Sequence, residues 1–518
     1  MKKLVLLIIL GSSLSAYAQD PEDALRLSWF HPSGTARSNA LGGAMGTLGG
    51  DLSANHINPA GLGMYKSNEI LLTPKFLVQT NDFKYRGTNG SSNDNSSSFG
   101  SIGIVLGDGL KKNNWTSTAF SISFNQIADF SNHISFSGLN NGKDASSYSE
   151  KYLEELIHDG ADTSSALNNY IFGSSLAYRT YLIDTTANAK GAVTGYQSLV
   201  PLSGVNQNYD AITRGSYNEL ALGWGGNMAD KLYLGASFIM PMINYSKSFY
   251  YSETDASNNA NNDFSKFSLH EDFSSKGWGI GAKFGIIYKP EPYLRVGFSL
   301  HTPQLISFKD ILTVDMTTNT EKYAGTQTAS SNDLNNGYPG ERDYTVATPL
   351  KTIFSTSYFF AAPNKPTQPL GFISADIEWV NYAGTRFYGN TYDDATTAYY
   401  NDLNNTIKSI YKNNINLKIG SEIKLDGNWM LRAGAAYYGS PYNNEFKDEQ
   451  GKVLARPSRL VVSGGIGYRT NKHFIDFTII NSSTKDVVFP YHLNDKANTF
   501  ANMTGNQLIF NIGYGIKF

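Results

Sequence analysis

From Leu508 to the end of the chain, every second residue is apolar or aromatic. Leu508, Phe510, Ile512, Tyr514, Ile516 and Phe518 are interleaved with Asn511, Gly513, Gly515 and Lys517. Successive side chains of a strand point to opposite faces, so this run presents one face to an apolar medium and the other to a polar or crowded one. The same alternation recurs at Ile415, Leu417, Ile419, Ile423 and Leu425, and at Leu294, Val296, Phe298 and Leu300. A chain that repeats the pattern so often must bury many amphipathic strands at once.

What surrounds those strands follows from the start of the chain and from its composition. Lys2 and Lys3 precede an apolar run from Leu4 to Leu10 and a small-residue exit at Ala16 to Ala18, which predicts a signal peptide over residues 1–18, cut before Gln19. No later stretch reaches 18 unbroken apolar residues, so membrane helices are excluded. Cysteine is absent, which removes disulfide staples and thiolate metal sites. With 42 basic and 44 acidic residues the chain has no basic field for nucleic acid. Its 33 Tyr, 29 Phe and 49 Gly, set in alternating strands behind a signal peptide, fit a transmembrane β-barrel of a bacterial outer membrane, with the lipid bilayer as one partner.

Counting the runs gives an all-β, 14-stranded antiparallel barrel over residues 67–518. Its strands fall near 68–80, 96–107 and 115–138, with eleven more from 214–226 to 506–518. Short turns near 108–114, 227–230, 290–292, 363–369, 426–428 and 470–472 alternate with long polar segments such as Asn81 to Asn95, 319–341, 391–411 and 486–506. Short turns on one side and long loops on the other are the periplasmic and extracellular asymmetry of such barrels, and an even strand count brings both chain ends to the periplasmic side. The third strand loses its alternation at Gln126, Ile127, Ala128 and Asp129, which predicts a bulge or kink and a candidate lateral opening. The longest loop, 139–212, carries a helical patch over 147–159; the two readings of it are a cap on the mouth of the barrel and an inert or immune-facing loop.

Between leader and barrel, residues 19–66 form a separate unit. The stretch from Ala36 to Tyr65 holds seven glycines and Pro59, too irregular for a strand yet small and apolar, which suits a plug packed inside the lumen. The segment SNALGGAMGTLGGDLSANHINPAGL, above all Asn58, Pro59 and Ala60 just before the first strand, resembles the N-terminal hatch of the FadL-type outer-membrane transporters of long-chain fatty acids and other hydrophobic molecules. The strand YLRVGFSLHTP (293–303) carries the resemblance into the barrel. It implies a hatch within fourteen strands, a kinked third strand and a hydrophobic small molecule as ligand. Trp29 to Ser33 replace the usual Gly- and Ala-rich lead into the hatch.

On this reading the ligand is captured outside, the hatch moves on Gly42, Gly43, Gly46, Gly49 and Gly50, and the ligand leaves by the gap in strand three. Arg295, Lys418, Arg432 and Lys517 face the lumen by parity; Arg295 and Arg432 are the candidate clamps for a carboxylated ligand, against the plainer reading that such cations pair with lumen acids such as Glu422. The chain shows no phosphate loop, no Gly-x-Ser-x-Gly elbow and no zinc spacing among its eight histidines, so no enzyme activity, cofactor or metal is expected. The alternative is a FadL-like barrel serving as a protein-binding subunit of a type 9 secretion system.

Overall fold

The computed structural model describes residues 22–109, 114–142, 145–202, 204–257, 259–362, 365–391, 393–425, 427–443, 446–447, 453–455 and 458–518. The signal peptide over 1–18 lies outside these residues, as do parts of the turns at 108–114, 363–369 and 426–428.

Fourteen antiparallel strands close on themselves. They are β1 (Glu69–Tyr85), β2 (Thr88–Asp108), β3 (Trp115–Asp129, resuming at Asn132–Asn140), β4 (Val205–Met228), β5 (Leu232–Asp255), β6 (Lys266–Glu291) and β7 (Leu294–His301, resuming at Leu305–Asn319). The circuit continues with β8 (Gly340–Ala347, resuming at Lys351–Ala362), β9 (Lys365–Asn381, resuming at Arg386–Gly389), β10 (Asn413–Lys424), β11 (Trp429–Tyr438), β12 (Arg459–Arg469), β13 (His473–Val488) and β14 (Ala501–Lys517). Closure is the β1–β14 ladder, which runs from Glu69 opposite Lys517 to Lys84 opposite Asn502. In lipid an open sheet edge would leave backbone groups unpaired, so closure is a physical requirement.

The alternation read from the sequence is the wall's inside–outside pattern. Ile70, Phe120, Phe238, Ile280, Phe354, Leu417, Leu431 and Ile512 point out and are exposed, while the residues between them face the lumen. Apolar side chains outside and polar ones inside invert a soluble barrel, as a lipid solvent demands.

The sequence reading needs two corrections. Asn81 to Asn95 is not a loop: β1 and β2 continue as a hairpin up to Tyr85 opposite Thr88, turning at Arg86 and Gly87, both with positive φ. Above the membrane both faces meet polar surroundings, so the strand keeps its ladder while losing the apolar alternation that reports it. Nor does the described chain begin on the periplasmic side. The helix Glu22–Arg26 stands inside the lumen among Ile243, Phe308 and Tyr344, at the height where the outer face of the wall changes from apolar to polar. From there the chain descends to the hatch.

Over the extracellular end lies a lid built from residues 145–202. The helix Tyr148–His158 takes its N-cap from Ser147 with a full capping box, as the helical patch predicts. Leu156, Leu176 and Leu182 of the lid are buried against Phe83, Phe136, Tyr209, Tyr251 and Phe267 of the rim. One strand residue pins it: Glu253 of β5, fully buried, accepts hydrogen bonds from Ser147 Oγ (2.5 Å), the Tyr148 amide (3.0 Å), Gln207 Nε2 (2.9 Å) and the Tyr251 hydroxyl (2.8 Å).

Candidate functional site: hatch, lumen cavity and wall seam

The hatch is short helical turns, Ala36–Ala40 and Ala54–Ile57, followed by a 3₁₀ turn over Pro59–Met64. Asn58 organises it. Its Oδ1 accepts from the Ala60 amide (3.2 Å), capping the turn whose first residue, Pro59, has no amide to satisfy. Its Nδ2 donates to the Gly46 carbonyl (2.7 Å), joining the two halves of the hatch.

The wall is carved to receive it. A Cβ on Gly235 would strike the Pro59–Ala60 peptide, and one on Gly285 would strike the Asn58 side chain. The hatch glycines are contact points as well: a Cβ on Gly42 (φ +64°) would meet the Ala435 backbone of β11, and one on Gly46 would collide with Ser355. Gly43 (φ +78°) adopts a backbone well that L residues avoid, and the Gly46 amide donates to Asp376 Oδ2 (3.0 Å). The lumen-facing glycines of β5 and β6 were a legible signal: parity places Gly235 and Gly285 inward, where only close backbone approach explains a missing side chain.

Charge ties the hatch to the wall on two sides. Arg37 Nε lies 3.0 Å from Glu422, which is 2.6 Å from Arg432, which is in turn 2.6 Å from Asp476. Opposite, His56 Nδ1 lies 3.2 Å from Glu219, which also accepts from Lys283 Nζ (2.6 Å) and Gln304 Nε2 (2.6 Å). Burial lowers the pKa of His56, and it brings that of His31 down to about 4, with Arg459 and Lys75 adding to the effect on His31. The pairing of Arg432 with Glu422 is the plainer sequence reading; the partners of Arg37 and His56 were not legible, because they depend on where the hatch sits in the lumen.

The candidate cations fare differently. The Arg432 side chain has no exposed surface and lies between two carboxylates, Lys418 pairs with Glu378 (3.0 Å), and Lys517 lies 4.0 Å from Glu69. Arg295 has no carboxylate within ion-pair distance among the described residues. Its Nη1 donates to the Leu48 carbonyl (3.0 Å), its guanidinium lies over the Phe359 ring (4.3 Å), and its Nε is buried without an acceptor. It contacts the hatch at Thr47, Leu48 and Met64.

Above the hatch is a cavity of about 140 Å³, bordered by Phe30, His31, His56, Ile127, Tyr217 and Lys418. The segment 22–33 fills the space over it: Leu25 and Leu27 sit among Tyr217, Ile243, Phe308 and Tyr344, and Trp29 lies under Arg459 (4.7 Å). That departure from the usual lead was visible in the sequence; its place in the lumen was not.

Ile127 leads from the cavity to the wall. On β3, Gln126 is opposite Asn218 and Ala128 opposite Tyr217, so Ile127 is a bulge, and the strand breaks again at Phe130 and Ser131. The β2–β3 ladder covers only Ser101–Asp108 against Thr118–Asn125. Beyond it, β2 from Thr88 to Phe99 is laddered to β1 alone. Side chains close this seam: Ser98 Oγ donates to Gln126 Oε1 (2.9 Å), Ser96 Oγ to Asp129 Oδ2 (2.8 Å), and Lys75 Nζ lies 3.5 Å from Asp129. The outward Phe99 and Phe76, the latter opposite Ser97, put the start of the seam within the apolar belt.

Residues 216–518, more than half of the chain, match the family model described as outer membrane protein transport protein (OMPP1/FadL/TodX). None of the curated proteins matches the chain. Among solved structures it is similar to a Pseudomonas aeruginosa FadL homologue, at 14% identity over 94% of this chain and 99% of that one, with a TM-score of 0.53. It is similar also to the Pseudomonas putida toluene transporter TodX, at 14% identity over the same shares and a TM-score of 0.50. At such identity the structures attest the fold, which they share as closed barrels. The family is one of transport proteins, and it lends nothing to the secretion-subunit alternative. The family match, the fourteen-stranded closure and the lumen hatch together make this chain a member of the FadL/TodX family of outer-membrane transport proteins.

Proposed function

We propose that the barrel takes up hydrophobic molecules, long-chain fatty acids among them, by capture at the extracellular side, displacement of the leader and hatch, and exit sideways through the β2–β3 seam. The observation that carries this reading is the continuity of three features: the cavity above the hatch, the Ile127 bulge on its border, and the end of the β2–β3 ladder beside that bulge. A hydrophobic solute released sideways stays in the hydrocarbon; released downward it would lose its apolar burial to water.

The conformation described is closed. A cavity of about 140 Å³ falls below the roughly 300–1,000 Å³ of pockets that enclose a ligand. Its lining includes Leu27 and Phe30 of the protein's own leader, so a ligand enters by taking their place. Arg295, beside the hatch and without a carboxylate, is the group suited to an anionic head.

Because the chain has no cysteine, a disulfide across the seam tests the exit cleanly. The double variant Ser98→Cys/Gln126→Cys, oxidised, is expected to stop fatty-acid uptake into cells and to regain it on reduction. Unchanged uptake by the cross-linked protein would remove the lateral route. A second lock, Thr47→Cys/Ser357→Cys, fixes the hatch where the two hydroxyls are 2.9 Å apart and asks separately whether the hatch must move.

A further inference from the structure

The outer wall carries a feature that transport through the lumen does not use. On the extracellular half of β6 the outward residues run Phe284, Ala282, Ile280, Trp278 and then Lys276, so Lys276 is the first charge above the apolar belt. Its neighbours in register share that height: Asn244 on β5, Lys309 on β7 and, beyond it, Asp343 on β8. One step lower the row reads Met242, Trp278, Ser307, Thr345 and Tyr388, with Trp278 70% exposed and Tyr388 49% exposed. Exposed Trp and Tyr with polar residues directly above mark the interface between acyl chains and headgroups.

Within that polar row Lys276 and Lys309 stand directly opposite one another, the one place among the described ladder pairs where two lysines do so. Like charges facing each other across strands destabilise a sheet. Lys309 is relieved by Glu341 at 2.8 Å and has Asp343 opposite on its other side. Lys276 has no carboxylate within ion-pair distance among the described residues, and a cleft of about 540 Å³ opens along the row from Asn244 to Asn390.

We propose that this cleft is a binding site for a phosphorylated lipid of the outer leaflet. Lys276 takes the headgroup phosphate, Lys309 supports it from across the ladder, Asn244 and Asn390 meet neighbouring hydroxyls, and Trp278 packs on the first acyl segments below. Asp343, opposite Lys309 and before Asn390, opposes a second phosphate on that side, so the site has room for one. Height decides in favour of a lipid over a soluble anion: the ammonium group stands one ladder step above lipid-facing tryptophan, where a headgroup resides and a free ion has no second wall to hold it.

The test uses the full barrel purified into vesicles of zwitterionic phospholipid containing a phosphorylated glycolipid, with the dephosphorylated form of that lipid as the parallel arm. Lipid retained per barrel is counted by native mass spectrometry. Lys276→Gln is expected to lower retention of the phosphorylated form about fivefold, as befits one surface lysine, and to leave the dephosphorylated form unchanged. Lys276→Arg should retain it. Heat-modified migration on gels confirms that each variant is a folded barrel. Equal retention of both lipids, no loss in Lys276→Gln, or displacement by millimolar inorganic phosphate would each overturn the proposal.

Discussion

The lumen is shut twice, and the two closures are made differently. The lid packs leucines of residues 145–202 on rim aromatics, with Phe136 stacked on Tyr209 at 4.6 Å, and is bonded from beneath by Glu253, by Gln207 at the Ser146 carbonyl and by Thr318 at Thr180. The hatch adds buried ion pairs, Arg37 with Glu422 and His56 with Glu219, to apolar contacts with the wall, where Leu52 and Leu62 cluster with Leu71, Val105 and Phe474, and Leu41 and Met45 with Phe372. An apolar seal opens at a cost proportional to the area exposed. A surface held by discrete polar contacts is released when those contacts exchange partners, water included. The buried ion pairs are what set the hatch apart from the lid, and they are where the comparison can be tested.

The largest expected effect breaks the hatch side. Arg432→Met leaves Glu422 and Asp476 buried without the cation between them, a loss of about 3–5 kcal/mol for a broken buried pair. The temperature at which the barrel loses its compact gel migration should fall, and sugar-driven liposome swelling should rise as the hatch loosens. Wild-type behaviour in both assays would mean that the network does not hold the hatch.

Next comes the lid. Glu253→Gln keeps the shape but exchanges charged acceptors for neutral ones and adds a donor facing donors, costing about 1–3 kcal/mol. Proteolytic nicking within 145–202 should accelerate while the gel transition of the barrel stays in place. If both shift together, the two closures are one unit and the comparison fails.

The smallest effect concerns Arg295, which belongs to the hatch side but carries no carboxylate. Arg295→Met should weaken fatty-acid uptake several-fold, about 1 kcal/mol for one charge-assisted bond, and spare a neutral hydrocarbon. Equal losses for both ligands would assign Arg295 to hatch packing alone.

Lipid explains why so much of the architecture was readable. Where the wall meets hydrocarbon, each outward position must be apolar, so Leu508 to Phe518 or Ile415 to Leu425 report strand, face and end of the chain together. Above the belt that constraint lapses, and the hairpin through Asp82 to Asn95, rich in Ser and Asn, gave no sign of its ladder. The break in β3 was legible at Gln126 to Asp129 because it interrupts the alternation inside the belt. In the lumen, Asn58 was marked by its turn with Pro59. Glu422 was legible as a lumen acid able to pair with Arg432, ten residues on; the partners of Arg37 and His56 were hidden, because they come from strands more than 160 residues away and only the fold brings them together.

The ladder between β1 and β14 joins the first strand of the chain to the last. It is the ladder of greatest sequence separation, so closing it costs the most chain entropy. The hatch runs straight into β1 through Tyr65 to Asn68 and ends up enclosed on every side. A cylinder that closes on this ladder last would have to close around those turns. On that order of closure the glycine-rich segment would serve as a mandrel, and the wall glycines that receive it, Gly235 and Gly285, would be shaped around it as the strands pair.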